Sequence, residues 1–155
     1  MRLIAINTAL FDKNKNDPEI LTKSKRPYVL VIRLKYKGNK YDFAVPIRSN
    51  IPAAAPKEQY FALPPRPSTR PKNRHGLHYI KMFPVTKQYF VRYRTEGNPF
   101  ALLIQSIIDK NQKKIVNQCQ NYLDSYASGN HPAFSTDIDY LIAQLYPDNI
   151  PSTNS

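Results

Sequence analysis

The sequence predicts an α+β protein: a compact, strongly curved antiparallel sheet with C-terminal helices packed on it. Short runs of β-branched and aromatic residues crowd the chain before residue 95. Apolar residues recur at helical spacing after Pro99, and a glycine turn joins the two clearest strand runs. An apolar fraction of 41% over 155 residues is enough for one core, and the length suits one domain spanning 1–155. Residues 1–95 would form a basic sheet part, 98–146 a helical part, and 150–155 a disordered tail.

Arg2–Asn7 reads as the opening strand. Asp12–Arg26 is polar, contains Asn16-Asp17-Pro18, and reads as a long loop with one helical turn. Tyr28–Tyr36 is rich in strand formers, Lys37-Gly38-Asn39-Lys40 supplies a hairpin turn, and Tyr41–Pro46 returns antiparallel. The stretch Ile47–Arg74 contains Pro52, Pro56, Pro64, Pro65, Pro67 and Pro71. Proline cannot donate to a ladder, so this stretch is expected to be loop with one short strand at Gln59–Leu63. Leu77–Pro84 resumes as a strand, and Gln88–Arg92 continues the sheet. Phe100, Leu103, Ile104, Ile107, Ile108, Ile115 and Cys119 then mark a helix from Pro99 to about Tyr126, broken near Asn111. Asn98 suits its cap and Pro99 its first position. Gly129-Asn130-His131-Pro132 ends it, and Ser135 is the expected cap of a last helix through Leu145.

The formal charge is +12 and unevenly spread. Residues 1–95 hold 20 Lys and Arg against 5 Asp and Glu, whereas residues 96–155 hold 3 against 6. Such asymmetry points to a polyanion-binding surface on the sheet part. Tyrosines sit beside cations at Arg26-Pro27-Tyr28, Lys35-Tyr36-Lys37, Lys40-Tyr41 and Arg92-Tyr93-Arg94. Phosphates attract the cations and unstacked bases attract the rings, a mixture that suits single-stranded RNA.

Several classes are excluded. No run approaches the ~18 to 20 apolar residues of a membrane span. The N-terminal apolar run is too short for a signal peptide, and the lone Cys119, an expected core residue, cannot staple a scaffold. A reducing cytoplasm fits these features, with no membrane partner. There is no glycine-rich phosphate loop or dinucleotide fingerprint. One Cys and three scattered His do not make a zinc site, and the carboxylates are too sparse for a two-metal nuclease. No metal or cofactor is therefore expected. RNA cleavage without one uses the ribose 2′-OH as nucleophile and leaves a 2′,3′-cyclic phosphate and a 5′-OH.

Strand, glycine turn and strand are followed by Pro46-Ile47-Arg48-Ser49, a variable loop, then Gly76-Leu77-His78-Tyr79-Ile80-Lys81-Met82-Phe83-Pro84-Val85 and a long helix. This arrangement resembles the endoribonuclease toxins of type III toxin–antitoxin systems, the ToxN, AbiQ, CptN and TenpN group, and TenpN most. The resemblance implies a metal-independent ribonuclease whose sheet is distantly like the barrel of the Kid and MazF toxins. It further implies a partner: a pseudoknotted repeat RNA antitoxin, which the toxin cuts from its precursor and then holds in a closed ring of alternating RNA and protein. Freed of that RNA, such toxins degrade cellular or phage transcripts, arresting growth or aborting infection.

In the ToxN branch a proline–leucine–threonine–serine segment places the serine, with a lysine two residues on. Pro46 and Ser49 match it; Arg48 replaces the threonine and Ile51 stands where the lysine would be. Arg48 is then the expected phosphate cation. That branch also has a lysine two residues before the first aromatic of its long strand, where this chain has Arg26 before Tyr28. Arginine is a poor general base and a good oxyanion clamp. The base or acid is therefore sought among His75, His78 and Lys81. His75, amid cations, should be neutral near pH 7. His78 and Lys81, three apart in one strand, should point to opposite faces, Lys81 sharing its face with Tyr79. The expected catalytic set is Arg26, Arg48, Ser49, His75 and Lys81. Expected RNA contacts are Lys25, Tyr28, Lys35, Lys37, Arg66, Arg70, Lys72, Arg74 and His78. Two further readings compete: a non-catalytic RNA-binding module, and a DNA-binding regulator. The second is weaker, because the long helix is apolar and flanked by acids.

Overall fold

The computed structural model describes residues 2–14, 16–19, 29–92 and 97–146. Seven antiparallel strands form an open sheet in the order β4-β5-β3-β2-β1-β7, with β6 also paired to β3. They are β1 (Arg2–Ile6), β2 (Val29–Tyr36), β3 (Asn39–Ile51), β4 (Tyr60–Leu63), β5 (Arg74–His78), β6 (Phe83–Val85) and β7 (Phe90–Arg92). The helices are α1 (Thr8–Lys13), α2 (Pro99–Lys110), α3 (Gln112–Ala127) and α4 (Ile138–Leu145). The α+β architecture read from the sequence is the one observed.

Alternation along the strands gives the sheet two apolar faces. Leu30, Ile32, Leu34, Phe43, Val45, Ile47 and Leu77 pack with Ile104 and Ile108 of α2 and Ile115, Cys119 and Leu123 of α3. On the other face, Val29, Ala44, Phe83 and Val85 pack with Leu10 of α1 and Leu141 of α4. The helices thus cover both faces. The predicted break at Asn111 is present; its side chain donates to the Ile107 carbonyl at 2.7 Å, ending α2. Asn98 caps α2 as expected, accepting from the Ala101 amide at 3.0 Å. α3 ends where Gly129 takes a φ of 103° and its amide bonds the Tyr126 carbonyl.

Four expectations are corrected. The helical turn expected within Asp12–Arg26 starts earlier, at Thr8, and ends at Lys13: Asn7 caps it through the Ala9 amide, and burial of Leu10 anchors it. The cap of α4 is Asp137, not Ser135; its carboxylate accepts from the Tyr140 amide, while the Asp17 carboxylate accepts from its own amide. β3 runs on to Ile51, beyond Pro46, because Ile47, Arg48 and Ile51 pair with β5. Finally, Leu77–Pro84 is not one strand. Between the pairs Ala44–Phe83 and Ile47–Leu77, β3 advances three residues while its partner edge advances six. The surplus forms a 3-10 turn at Tyr79–Lys81, between β5 and β6 on the same edge of β3.

Gly76 lies opposite both Arg48 and Ala62, at the crowded middle of β4, β5 and β3. A Cβ there would sit 2.2 Å from the Phe61 carbonyl oxygen, a backbone atom that cannot swing aside. Gly76→Ala is therefore expected to destabilise the fold by about 2–4 kcal/mol, read as a lowered midpoint in urea unfolding.

Candidate functional site

Three residues of the expected site lie outside the described residues: Arg26, Lys25 and Tyr28. Of the rest, the structure brings Arg48 and His78 together directly. Arg48 stands opposite Gly76, and His78 is two residues further along β5, so both project from the face turned away from Ile47 and Leu77. Arg48 Nη1 is 3.1 Å from His78 Nδ1. A guanidinium can only donate, so Nδ1 accepts and a neutral His78 carries its proton on Nε2. Ser49, next to Arg48, is half-buried at the start of a register irregularity between Arg48 and Ile51. Such irregularities bend a strand and re-aim its side chains.

Arg48 is half-buried, and its Nε is buried without a hydrogen-bond partner among the described residues. Burial pushes its pKa down, and the nearby Glu19 carboxylate partly offsets this. The cation stays charged, since arginine does not deprotonate in proteins. It is thus partly stripped of water and held in place beside His78.

The turn at Tyr79–Lys81 overturns the expected arrangement of His78 and Lys81. Tyr79 faces α3, its hydroxyl donating to Gln118. Lys81 departs from it: its Nζ donates to Glu19 at 2.5 Å and to the Phe134 carbonyl at 2.8 Å. Both His78 and Lys81 are buried, at 2% and 6% exposure. Glu19 therefore serves two cations, holding Lys81 and acting on Arg48.

His75 does not join this cluster. Alternation along β5 puts it with Leu77 on the opposite face, against Phe100 of α2 at 5.9 Å between ring centroids. Its Nδ1 lies 2.6 Å from the Pro64 carbonyl, an acceptor, so the proton is on Nδ1; Nε2 is buried and has no hydrogen-bond partner among the described residues. Its pKa is lowered, as the sequence suggested, but the larger cause is burial, with the charge of Arg66 contributing less.

The loop carrying Arg66, Arg70 and Lys72, which leads into Arg74 at the start of β5, is built on one residue the sequence reading missed. Asn50 of β3 donates to the Ser68 carbonyl and accepts from the Arg70 amide and the Asn73 side chain, at 2.8–3.2 Å. Two turns, closed by Thr69 on Arg66 and by Asn73 on Arg70, complete the loop. Arg66 also stacks over Phe100 at 5.5 Å. Lys35 and Lys37 are elsewhere. Lys35 pairs with Lys40, and eight residues of extended β3 separate Lys40 from Arg48, about 26 Å. Lys37 is paired with Asp139 of α4 at 2.9 Å. Glu19 was also missed, although it is the single carboxylate between Asp17 and Asp42, which is a usable signal in so basic a segment. No group of three or more His, Cys, Asp and Glu able to hold a metal occurs among the described residues. No helix among them is long and apolar enough to cross a membrane.

Two outcomes follow. Asn50→Ala removes the loop's anchor, costing about 1–3 kcal/mol, and should speed tryptic cleavage after Lys72 before the core is attacked, Arg66 and Arg70 being shielded by the prolines that follow them. Because His75 has a folded pKa below its unfolded value of about 6.5, the unfolded chain binds the proton first. Stability at neutral pH should fall as pH drops through 6.5 and below, and His75→Gln should flatten that slope in denaturation measured from pH 7.5 to 5.

No protein-family model and no curated protein sequence matches the chain. Solved structures do. One is AbiQ, a lactococcal anti-phage endoribonuclease of a type III toxin–antitoxin system, with TM-score 0.70, 16% identity, and coverage of 95% of this chain and 98% of that one. A second comes from a bacterial antiviral system regulated by a processed non-coding RNA, with TM-score 0.69, 14% identity, and 96% and 98% covered. A third is from a type III system in which a non-coding RNA pseudoknot inhibits the toxin, with TM-score 0.68, 15% identity, and 94% and 96% covered. The chain therefore has, over nearly its whole length, the fold of the type III toxin structures that its motifs resemble.

Proposed function

We propose that this protein is a metal-independent endoribonuclease, the toxin of a type III toxin–antitoxin system. The observation that carries the reading is Arg48: a partly desolvated cation held by His78, beside Ser49, in the fold shared with AbiQ. In this chemistry the ribose 2′-oxygen bonds to phosphorus while the bond from phosphorus to the 5′-oxygen breaks. The 2′-OH gives up its proton and the departing 5′-oxygen gains one. Negative charge builds on the non-bridging oxygens, where the Arg48 guanidinium would receive it, with the Ser49 hydroxyl as a neighbouring donor. His78 holds Arg48 in position, and Lys81 adds a second fixed cation balanced by Glu19. The loop of Arg66, Arg70 and Lys72, with Arg74 after it, would grip the flanking phosphates. The same site would process a repeat RNA, remain inhibited by it in a ring of alternating RNA and protein, and otherwise cut cellular or phage transcripts.

A non-catalytic RNA-binding module is the second reading, favoured by the burial of His75, His78 and Lys81, the imidazoles and ammonium expected to move protons. One assay separates the two: incubation of a repeat-containing RNA with the protein in EDTA. The toxin reading expects 2′,3′-cyclic phosphate and 5′-OH ends, and the module expects bound, intact RNA. Arg48→Ala should slow cleavage about 100- to 1,000-fold, and either Arg48→Ala or Ser49→Ala should relieve growth arrest while the chain still unfolds cooperatively. Full cleavage by both variants would remove this site from the chemistry.

A further inference from the structure

Phe134, in the link between α3 and α4, has no part in the chemistry above. It is 73% exposed, against 50% or less for Val91, Leu102 and Leu103, the other exposed large apolar side chains described. Single exposed apolar residues are ordinary. A left-handed backbone under a bulky one is not: Phe134 has a φ of 66°. Such strain costs about 1–3 kcal/mol, and an exposed ring offsets none of it by burial.

The backbone around Phe134 is pinned to the turn that follows His78. The Phe134 carbonyl accepts from Lys81 at 2.8 Å, the Thr136 amide donates to the Ile80 carbonyl at 3.0 Å, and the Thr136 hydroxyl donates to the Met82 carbonyl. Lys81 is ion-paired to Glu19, and the Glu19 carboxylate acts on Arg48. Polar contacts therefore run from the Phe134 carbonyl through Lys81 to Glu19, whose charge also acts on Arg48. The strained residue is fixed beside the cluster while its ring projects outward.

We infer that Phe134 is a stacking platform for an unpaired base of the RNA held at Arg48, a positioning contact that rests on the RNA-cleaving or RNA-binding reading of that site. An exposed aromatic ring on a backbone held by a fixed cation suits single-stranded RNA, and stacking of one base is worth about as much as the backbone strain. The ring accepts any base, so it places the strand without specifying its sequence.

The test uses the full chain and a single-stranded oligoribonucleotide of mixed sequence. Phe134→Asn keeps a residue that tolerates the left-handed conformation and removes the ring. It should weaken binding about 5- to 150-fold, leave the unfolding midpoint equal or higher, and leave the salt dependence of binding unchanged, because no phosphate contact is lost. The chain has no tryptophan, so Phe134→Trp introduces its sole indole. That variant should bind like the wild type, with emission quenched by the oligoribonucleotide and not by heparin, a polyanion without bases. Wild-type affinity in Phe134→Asn, or equal quenching by heparin, would overturn the platform while leaving the Arg48 site standing. Loss of self-association in place of RNA affinity would also overturn it, assigning the ring to a second copy of the chain. Failure of the wild type to bind the oligoribonucleotide would remove both.

Discussion

The site depends on an unequal pairing: six residues on one edge lie against three on β3. Had the edge from β5 to β6 stayed in register, His78 and Lys81 would have faced opposite sides of an ordinary strand. Expelling the surplus as a 3-10 turn leaves His78 beside Arg48 and frees Lys81 to leave the sheet. The turn also provides the carbonyl of Ile80 on which the link before α4 is hung. Local chain length, more than any single side chain, thus gathers groups that are far apart in sequence.

Electrostatics sets the second condition. Cations crowd the sheet part, and the few carboxylates there are placed where they do most. Glu19 serves Lys81 and Arg48 together, so their mutual repulsion is reduced without filling every donor of the guanidinium. A buried lysine with no such partner would lose its charge or destabilise the core. One with too many acid neighbours would leave the site unattractive to an anion.

The fold was legible wherever local chemistry decided it. The β2–β3 hairpin followed from strand formers around Lys37-Gly38, and the α2–α3 break from Asn111, whose side chain terminates the helix it ends. Prolines correctly marked a loop, yet hid the extension of β3 to Ile51, because pairing with β5 is a long-range event. The site was less legible. Arg48 came from its motif, and its use of His78 required knowing which face each strand presents. His75 was displaced for the same reason: one residue along a strand reverses the side, and sequence proximity to Arg74 says nothing of it. Asn50 was overlooked because an asparagine inside a strand carries no local signal; only the folded loop reveals its three partners.

That asparagine has a consequence for how the arginine-rich arm behaves. With its course set by one carboxamide and two tight turns, the arm is already shaped before any polyanion arrives. Little conformational freedom then remains to be surrendered on capture. Such an arm can exchange its outward-pointing side chains, and so retune which strand it grips, while the scaffold beneath stays the same.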